Sequence, residues 1–184
     1  MKSKKRLSDL ATIRFGINVK SIPGGGVPCL QGKDIDQYGN FDNSTLMNVP
    51  EYLCSDKDWL KPSEVLFAAK GTRNYAVVWN QTGMNTVASS TFFVIQGDNK
   101  EIIPEYLAWY LMSAKARRHF EQHMKKSTVP TISKKVLDKL EIEIPPIKKQ
   151  NNIVSIYNLW IREQQLIKRT QELKHKLVFS DRLI

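Results

Sequence analysis

The stretch Leu140-Glu-Ile-Glu-Ile-Pro-Pro-Ile-Lys-Lys-Gln150 changes its periodicity at its midpoint, and that change decides the fold. Before Pro145, apolar Leu140, Ile142 and Ile144 alternate with Glu141 and Glu143, the pattern of a half-buried strand. After Pro146, Ile153, Ile156, Leu159, Trp160, Leu166, Ile167, Leu173 and Leu177 recur at helical spacing almost to the last residue. Two prolines cannot continue a ladder and hold the residue before them extended, so the joint is a hard boundary. The expected fold is α+β: a mixed domain over residues 1–146, with a small sheet and flanking helices, and one long C-terminal helix over 147–184.

Working back from the joint, each segment has a local signature. Ile103-Pro-Glu-Tyr-Leu-Ala-Trp-Tyr-Leu-Met112 is an amphipathic helix with proline in its first turn, where a missing N–H costs nothing, and it passes into Lys115–Lys126. Ser127–Ser133 is an extended loop, with Ser133 placed to cap a helix over Lys134–Asp138. Val87–Ile95 reads as one strand. Leu60–Ala69, a turn and buried strand, continues through the loop Lys70-Gly-Thr-Arg-Asn74 into the strand Tyr75–Trp79, making a hairpin with a charged tip. Val27–Gln31 is a further strand and Asp36–Asn40 a turn. At the start, Ser8 opens a short helical turn over Leu7–Gly16 that directs Leu7, Leu10, Ile13 and Phe15 to the core. Gly24-Gly25-Gly26 lacks the Gly-Lys-Ser/Thr that a phosphate loop requires and reads as a hinge.

The 184 residues are enough for one domain with an appendage, and the 25% charged share is that of a globular protein. No apolar run approaches the length of a membrane span. Met1–Arg6 has the charge of a signal-peptide n-region, but Leu7–Arg14 is too polar to be its apolar core. Cys29 and Cys54 are isolated, which fits reduced, buried thiols and a cytoplasmic protein. The net charge of +10 is uneven: residues 21–114 carry a net −4, whereas residues 115–184 carry +9. Such a basic excess fits a polyanionic partner or a solvated lysine-rich helix face.

Catalytic patterns are missing from the sequence. His119 and His123 have one-face helical spacing, but Glu121 stands one place too late for His-Glu-x-x-His, and Arg117, Arg118, Lys125 and Lys126 would repel a cation. The expectation is a solvated basic helix and no metal. There is no Gly-x-Ser-x-Gly elbow. Glu64 and Lys70 flank a strand without the acidic pair of a metal-dependent nuclease, and Ile144-Pro-Pro-Ile147 is not the Asn/Asp-Pro-Pro-aromatic box of amino-methyltransferases. What remains is a set of polar loops bearing Gln31, Lys33, Lys70, Thr72, Arg73, Asn74, Ser89, Ser90, Lys125, Lys126, Ser127, Thr128 and Thr131. Lysine and arginine neutralise phosphates without reading sequence. Arginine, lysine, asparagine and glutamine also pair with base edges in the major groove. Composition leaves two readings open: a double-stranded DNA surface, or an exposed hairpin tip and a structural connection.

Six blocks, in order, resemble the specificity subunit of type I restriction–modification systems. They are Leu7–Gly16, Val27–Ile35, Leu60–Phe67 with Lys70-Gly-Thr72, Ile103–Leu107, Ser127–Ser133 and Leu140–Gln150. The resemblance implies a target-recognition domain followed by a spacer helix, and a full-length subunit with two such units in tandem. Each unit reads half of a bipartite target, and the helices pack antiparallel to set the gap and to dock methyltransferase subunits. Methylation and cleavage belong to the partner modification and restriction/translocase subunits, so no cofactor and no catalysis are expected of this chain. Two departures stand out: Pro62-Ser63-Glu64 replaces the family's Pro-Gly-Asp turn, and Arg73-Asn74 replaces its Ile-Gly. One unit in 184 residues reads as a half-length form.

The helix then needs a covering. With Ile156, Glu163, Thr170 and Leu177 at a, and Leu159, Leu166 and Leu173 at d, every d is apolar, flanked by Trp160 and Ile167 at e. A helix from Lys148 to Arg182 would be about 50 Å long. Either it folds back on its own domain, or it pairs with a second copy in a two-fold homodimer. A further functional class stays open on the net −4 of the middle region: a non-catalytic assembly or regulatory module that acts through its helix without reading DNA.

Overall fold

Strand β9 (Glu141–Ile144) and helix α5 (Ile147–Val178) meet at Pro145-Pro146, as the change of periodicity requires. The computed structural model describes residues 3–18, 26–42, 44, 46–71, 74–83, 85–123 and 130–179. Ile142 and Ile144 are buried, whereas Glu141 is exposed. The strand's partner is β1 (Ser3–Arg6), antiparallel, with Lys4 opposite Glu143 and Arg6 opposite Glu141. The basic start of the chain is therefore a strand, which the sequence does not announce. Its charged residues offer no alternation to detect.

The centre is a four-stranded antiparallel sheet in the order β2 (Ala11–Phe15), β8 (Phe92–Gly97), β5 (Glu64–Ala68), β6 (Ala76–Trp79). The β5–β6 hairpin matches expectation, with Phe67 opposite Ala76 and Glu64 opposite Trp79. Val65, Phe67, Phe93 and Ile95 point to one face. There they meet Tyr106, Leu107 and Leu111 of α2 (Pro104–Leu111), Phe120 of α3 (Ala114–His123) and Leu137 of α4 (Lys134–Asp138). Leu66, Val94, Phe92 and Trp79 point to the other, against Leu30 and Ile35. Burying a side chain such as Leu66 or Phe67 is worth about 1.5–3 kcal/mol, so this two-sided sheet carries most of the driving force. A second sheet, β4 (Met47–Val49), β3 (Val27–Leu30), β7 (Val87–Ala88), lies beside it.

Expectations for three stretches are corrected. Leu7–Gly16 holds only one helical turn, α1 (Leu7–Leu10), before the chain extends into β2. Ser8 is not its cap; Arg6 occupies that position, and the Ser8 hydroxyl turns to Asp9. Leu7 and Leu10 are buried, but Phe15 is 56% exposed. Val87–Ile95 is two strands in different sheets, because Phe92 N–H bonds Ser89 C=O at 3.0 Å and closes a turn. The helix after Ile103 breaks at Met112–Ser113, where the Ser113 hydroxyl accepts from Ala116 N–H and starts α3 anew. Ser133 caps α4 as expected, through Val136 N–H.

Candidate DNA interface

The described parts of the polar loops converge at the end of the central sheet where β5 stops and β8 begins. Backbone hydrogen bonds hold them there. Lys70 and Thr131 form an antiparallel bridge. Gly71 N–H bonds Pro130 C=O at 3.0 Å, and Ile132 N–H bonds Ala69 C=O at 2.9 Å. Gly71 has φ +104°, a conformation that favours glycine, and so lets the hairpin turn immediately after Lys70. The exposed Lys70 ammonium reaches the Ser90 hydroxyl at 3.4 Å.

Ser89 and Ser90 sit on the turn between β7 and β8. Ser89 N–H bonds Leu30 C=O at 2.9 Å, and Ser90 N–H bonds Ile17 C=O at 2.7 Å. The fit is tight: a Cβ on Gly16 would lie 2.1 Å from the Ser89 carbonyl oxygen, so only glycine passes there. Gln31 begins a 3₁₀ turn over Gly32–Asp34, with its N–H on the Asp34 carboxylate at 2.7 Å. Lys33 is exposed on that turn. The turn is fastened to the hairpin by Tyr75, whose hydroxyl donates to Gly32 C=O at 2.8 Å.

Gln31, Lys33, Lys70, Asn74, Ser89, Ser90 and Thr131 thus belong to one cluster of loops linked by hydrogen bonds. Thr72, Arg73, Lys125, Lys126, Ser127 and Thr128 lie outside the described residues. Asn74 has a structural task as well, since its amide donates to Ala68 C=O at 2.9 Å and closes the hairpin. Two residues join the cluster that sequence pattern places elsewhere. The pattern puts Tyr75 on a strand with no further task, and it puts Phe15 in the core. Phe15 instead packs on Phe93 at 4.6 Å between ring centroids, at this same end of the sheet.

His119 is not a freely solvated residue of a basic helix. Its Nε2 lies 2.9 Å from Val136 C=O, and its ring is 4.6 Å from that of His123. Among the described residues no group of three His, Cys, Asp or Glu side chains could hold a metal ion. No described helix is long and apolar enough to cross a membrane.

Helix α5 has two different faces. Gln150 and Val154 are buried and Tyr157 is half-buried; farther along, Lys168 comes 5.8 Å from the Tyr38 ring centroid. The other face carries Ile156, Leu159, Trp160, Leu166, Ile167, Leu173 and Leu177, each 46–69% exposed. That is the stripe marked out by the heptad spacing. Over 32 residues the helix is about 48 Å long.

Three solved structures share this architecture. One is a chain from a study of complex assembly and conformational transition of the type I R-M system, 21% identical, with a TM-score of 0.65, covering 94% of this chain and 41% of that one. The S subunit of the type I restriction–modification system from M. genitalium is 14% identical, with a TM-score of 0.62 and coverage of 96% and 43%. The HsdS subunit from Thermoanaerobacter tengcongensis is 16% identical, with a TM-score of 0.67 and coverage of 95% and 46%. The fold is therefore that of type I specificity subunits, and this chain spans less than half the length of each of these solved chains. No curated protein matches it. Residues 3–175 match the type I restriction modification DNA specificity domain, and the chain belongs to that family.

Proposed function

We infer that this chain is the DNA-reading component of a type I restriction–modification system, acting as a homodimer on a bipartite target. Residues 1–146 serve as the target-recognition unit and 147–184 as the spacer. Lys70, Ser90, Lys33 and their neighbours contact duplex DNA, joined by Arg73, Thr72 and the Lys125–Thr128 segment. The α5 stripe pairs with its copy on a second chain, so that two identical units face inverted half-sites across a fixed gap. Methyltransferase and restriction/translocase subunits in the cytoplasm supply the chemistry, and this chain supplies none.

One observation carries the reading: a cluster of cationic and hydrogen-bonding loops at the sheet end shares a chain with a long helix whose apolar stripe is exposed among the described residues. The first fits phosphates and base edges. The second fits a copy of itself, because the stripe keeps the a/d spacing of a coiled coil.

The test is to sequence methylation sites in cells that co-express the chain and its modification subunit. Two inverted, identical half-sites separated by a constant gap are expected. Methylation whose sequence does not depend on this chain would favour the assembly-module reading, for which the net −4 of residues 21–114 is the support.

A further inference from the structure

A groove of about 480 Å³ runs between α3 and the β1–β9 ribbon, away from the loops already assigned. Its cations are Lys4, Arg6, Lys115 and Lys139, and its carboxylates are Glu141 and Glu143. Glu143 stands opposite Lys4 in the strand register, yet its carboxylate is taken by Lys115 from across the groove. That hydrogen bond holds the Lys115 ammonium above the ordinary lysine range. Among the described residues, Lys4, Arg6 and Lys139 have no carboxylate within ion-pair distance. All three are exposed. Glu141, opposite Arg6 in the strand register, offsets part of this charge, but four cations face two carboxylates and the groove keeps a net positive charge along its length.

Its position gives that charge a direction. The wall formed by α3 runs toward the candidate interface, because Phe120 meets Phe67 at 5.4 Å, three residues before Lys70. His119 ties the same helix to α4 through Val136 C=O, and Ile132, just before α4, is bonded to Ala69. His123, the last described residue of α3, lines the groove at that end. A line of separated cations in an open groove matches a linear polyanion better than a single small anion, which calls for convergent donors.

The geometry points to a second DNA-binding surface: the groove holds backbone phosphates of the duplex flanking the recognised bases, through Lys4, Arg6 and Lys139. This rests on the DNA-reading function proposed above. It adds a sequence-independent track beside the sequence-reading loops. Such phosphate binding fixes register and orientation and raises affinity, and it reads no bases.

The experiment is a salt titration of duplex binding by the full chain, using fluorescence anisotropy. Parent, Lys4→Ala, Arg6→Ala, Lys139→Ala and the triple variant are each compared on a duplex limited to the target and on one extended at both ends. On the extended duplex, the slope of log affinity against log salt falls by about 0.9 for each phosphate that is no longer neutralised. On the short duplex it changes less, and the preferred sequence stays the same. Thermal melting confirms that the variants fold; Arg6→Gln and Lys139→Gln serve where an alanine variant does not. A triple variant with the parent's slope on the extended duplex overturns the groove assignment and leaves the DNA-reading proposal intact. A parent that binds no duplex overturns both. A triple variant that keeps its slope but loses its hold on the modification subunit assigns the groove to an acidic protein segment instead.

Discussion

The side-chain oxygen of Gln150 accepts the backbone N–H of Ile103 at 3.0 Å, fastening the first turn of α5 to the residue that precedes α2. The amide nitrogen of the same side chain donates to Glu101 C=O at 2.8 Å and to Pro145 C=O at 2.9 Å. Gln150 is fully buried. One side chain thus connects the proline joint, the loop before α2 and the helix, and it fixes the direction in which α5 leaves the sheet.

Gln150→Ala leaves a buried N–H and two carbonyls without partners. Each such orphan costs about 1–3 kcal/mol, reduced where water enters the space the side chain vacates. The expected loss is about 2–4 kcal/mol in urea unfolding. Gln150→Glu keeps the shape but replaces the donor with an acceptor facing two carbonyls, and should be no better than alanine. A loss below about 0.5 kcal/mol for alanine would show that the joint is held by packing alone.

A second buried node joins β2 to β5. Arg14 Nη2 donates to both oxygens of the Glu64 carboxylate at 2.8 Å and to Trp59 C=O at 3.0 Å, while Lys61 N–H also binds that carboxylate at 2.8 Å. The Glu64 side chain is only 5% exposed. Arg14→Ala strands that charge and is expected to cost about 3 kcal/mol. Arg14→Met combined with Glu64→Leu should recover much of the loss, because replacing a buried pair with apolar groups is often near neutral. Unfolding curves of the two single variants and the double give the coupling directly. A double variant as unstable as the sum of the singles contradicts the pairing.

The thiols give a test of burial. Burial pushes the Cys29 thiol up to about 12, with the charges of Cys54 and Asp34 adding to the effect. Cys54 is raised too, by partial burial and then by Asp58 and Glu51. Both stay protonated at neutral pH and are poor nucleophiles. In native protein at pH 8, iodoacetamide should label Cys54 more slowly than free cysteine, and Cys29 only after unfolding. Mass spectrometry resolves the two. Equal labelling of both in the native state contradicts the packing of β3.

Local pattern reveals what local pattern governs. The strand before Pro145, the helix after Pro146, the proline-started α2 and the β5–β6 hairpin are legible, because each is specified within a dozen residues. β1 is not: its stretch is polar throughout, and its partner β9 lies at the far end of the fold, 141 residues on from Ser3 to Ile144. The Arg14–Glu64 node spans 50 positions and leaves no local trace. The turn at Ser89–Thr91 is hidden because small polar residues fit both a strand edge and a turn, and the tight pass at Gly16 decides between them. In the candidate interface, residue types are legible while convergence is not. Lys70, Ser90 and Thr131 become neighbours through the bridge at Thr131 and the Lys70–Ser90 hydrogen bond, and Tyr75 joins them through its hydroxyl. The cations of the α3 groove count toward the basic excess, but only the β1–β9 pairing brings Lys4 and Arg6 beside Lys139.

For the loops proposed to read sequence, Arg73 and Lys125–Lys126 should behave differently. An arginine paired with a base edge is worth about 1–3 kcal/mol of discrimination, so Arg73→Ala should relax the recognised sequence at one position. Lys125→Ala and Lys126→Ala should weaken all duplexes alike, each lowering the salt slope by about 0.9. Binding across a panel of single-base target variants separates the two behaviours. An Arg73→Ala protein with the parent's affinity and preference removes Arg73 from the site.

The α5 stripe carries the prediction on assembly. Leu166 and Leu173 occupy successive d positions and are 60% and 51% exposed in the single chain. In a two-fold pair both would be buried in the seam, so Leu166→Glu or Leu173→Glu brings one charge from each chain into an apolar seam. Losing the leucine alone removes about 1.5–3 kcal/mol per chain of burial. With two chains affected, the dimer should weaken by at least 100-fold, which is about 2.7 kcal/mol. Because both positions are exposed in the monomer, the domain itself should keep its melting temperature. Light scattering at micromolar concentration should then show the parent at twice the chain mass and the variants at the mass of one chain. A variant mass equal to the parent's would remove this stripe from the interface, and a parent that is already monomeric would leave it for a partner subunit to cover.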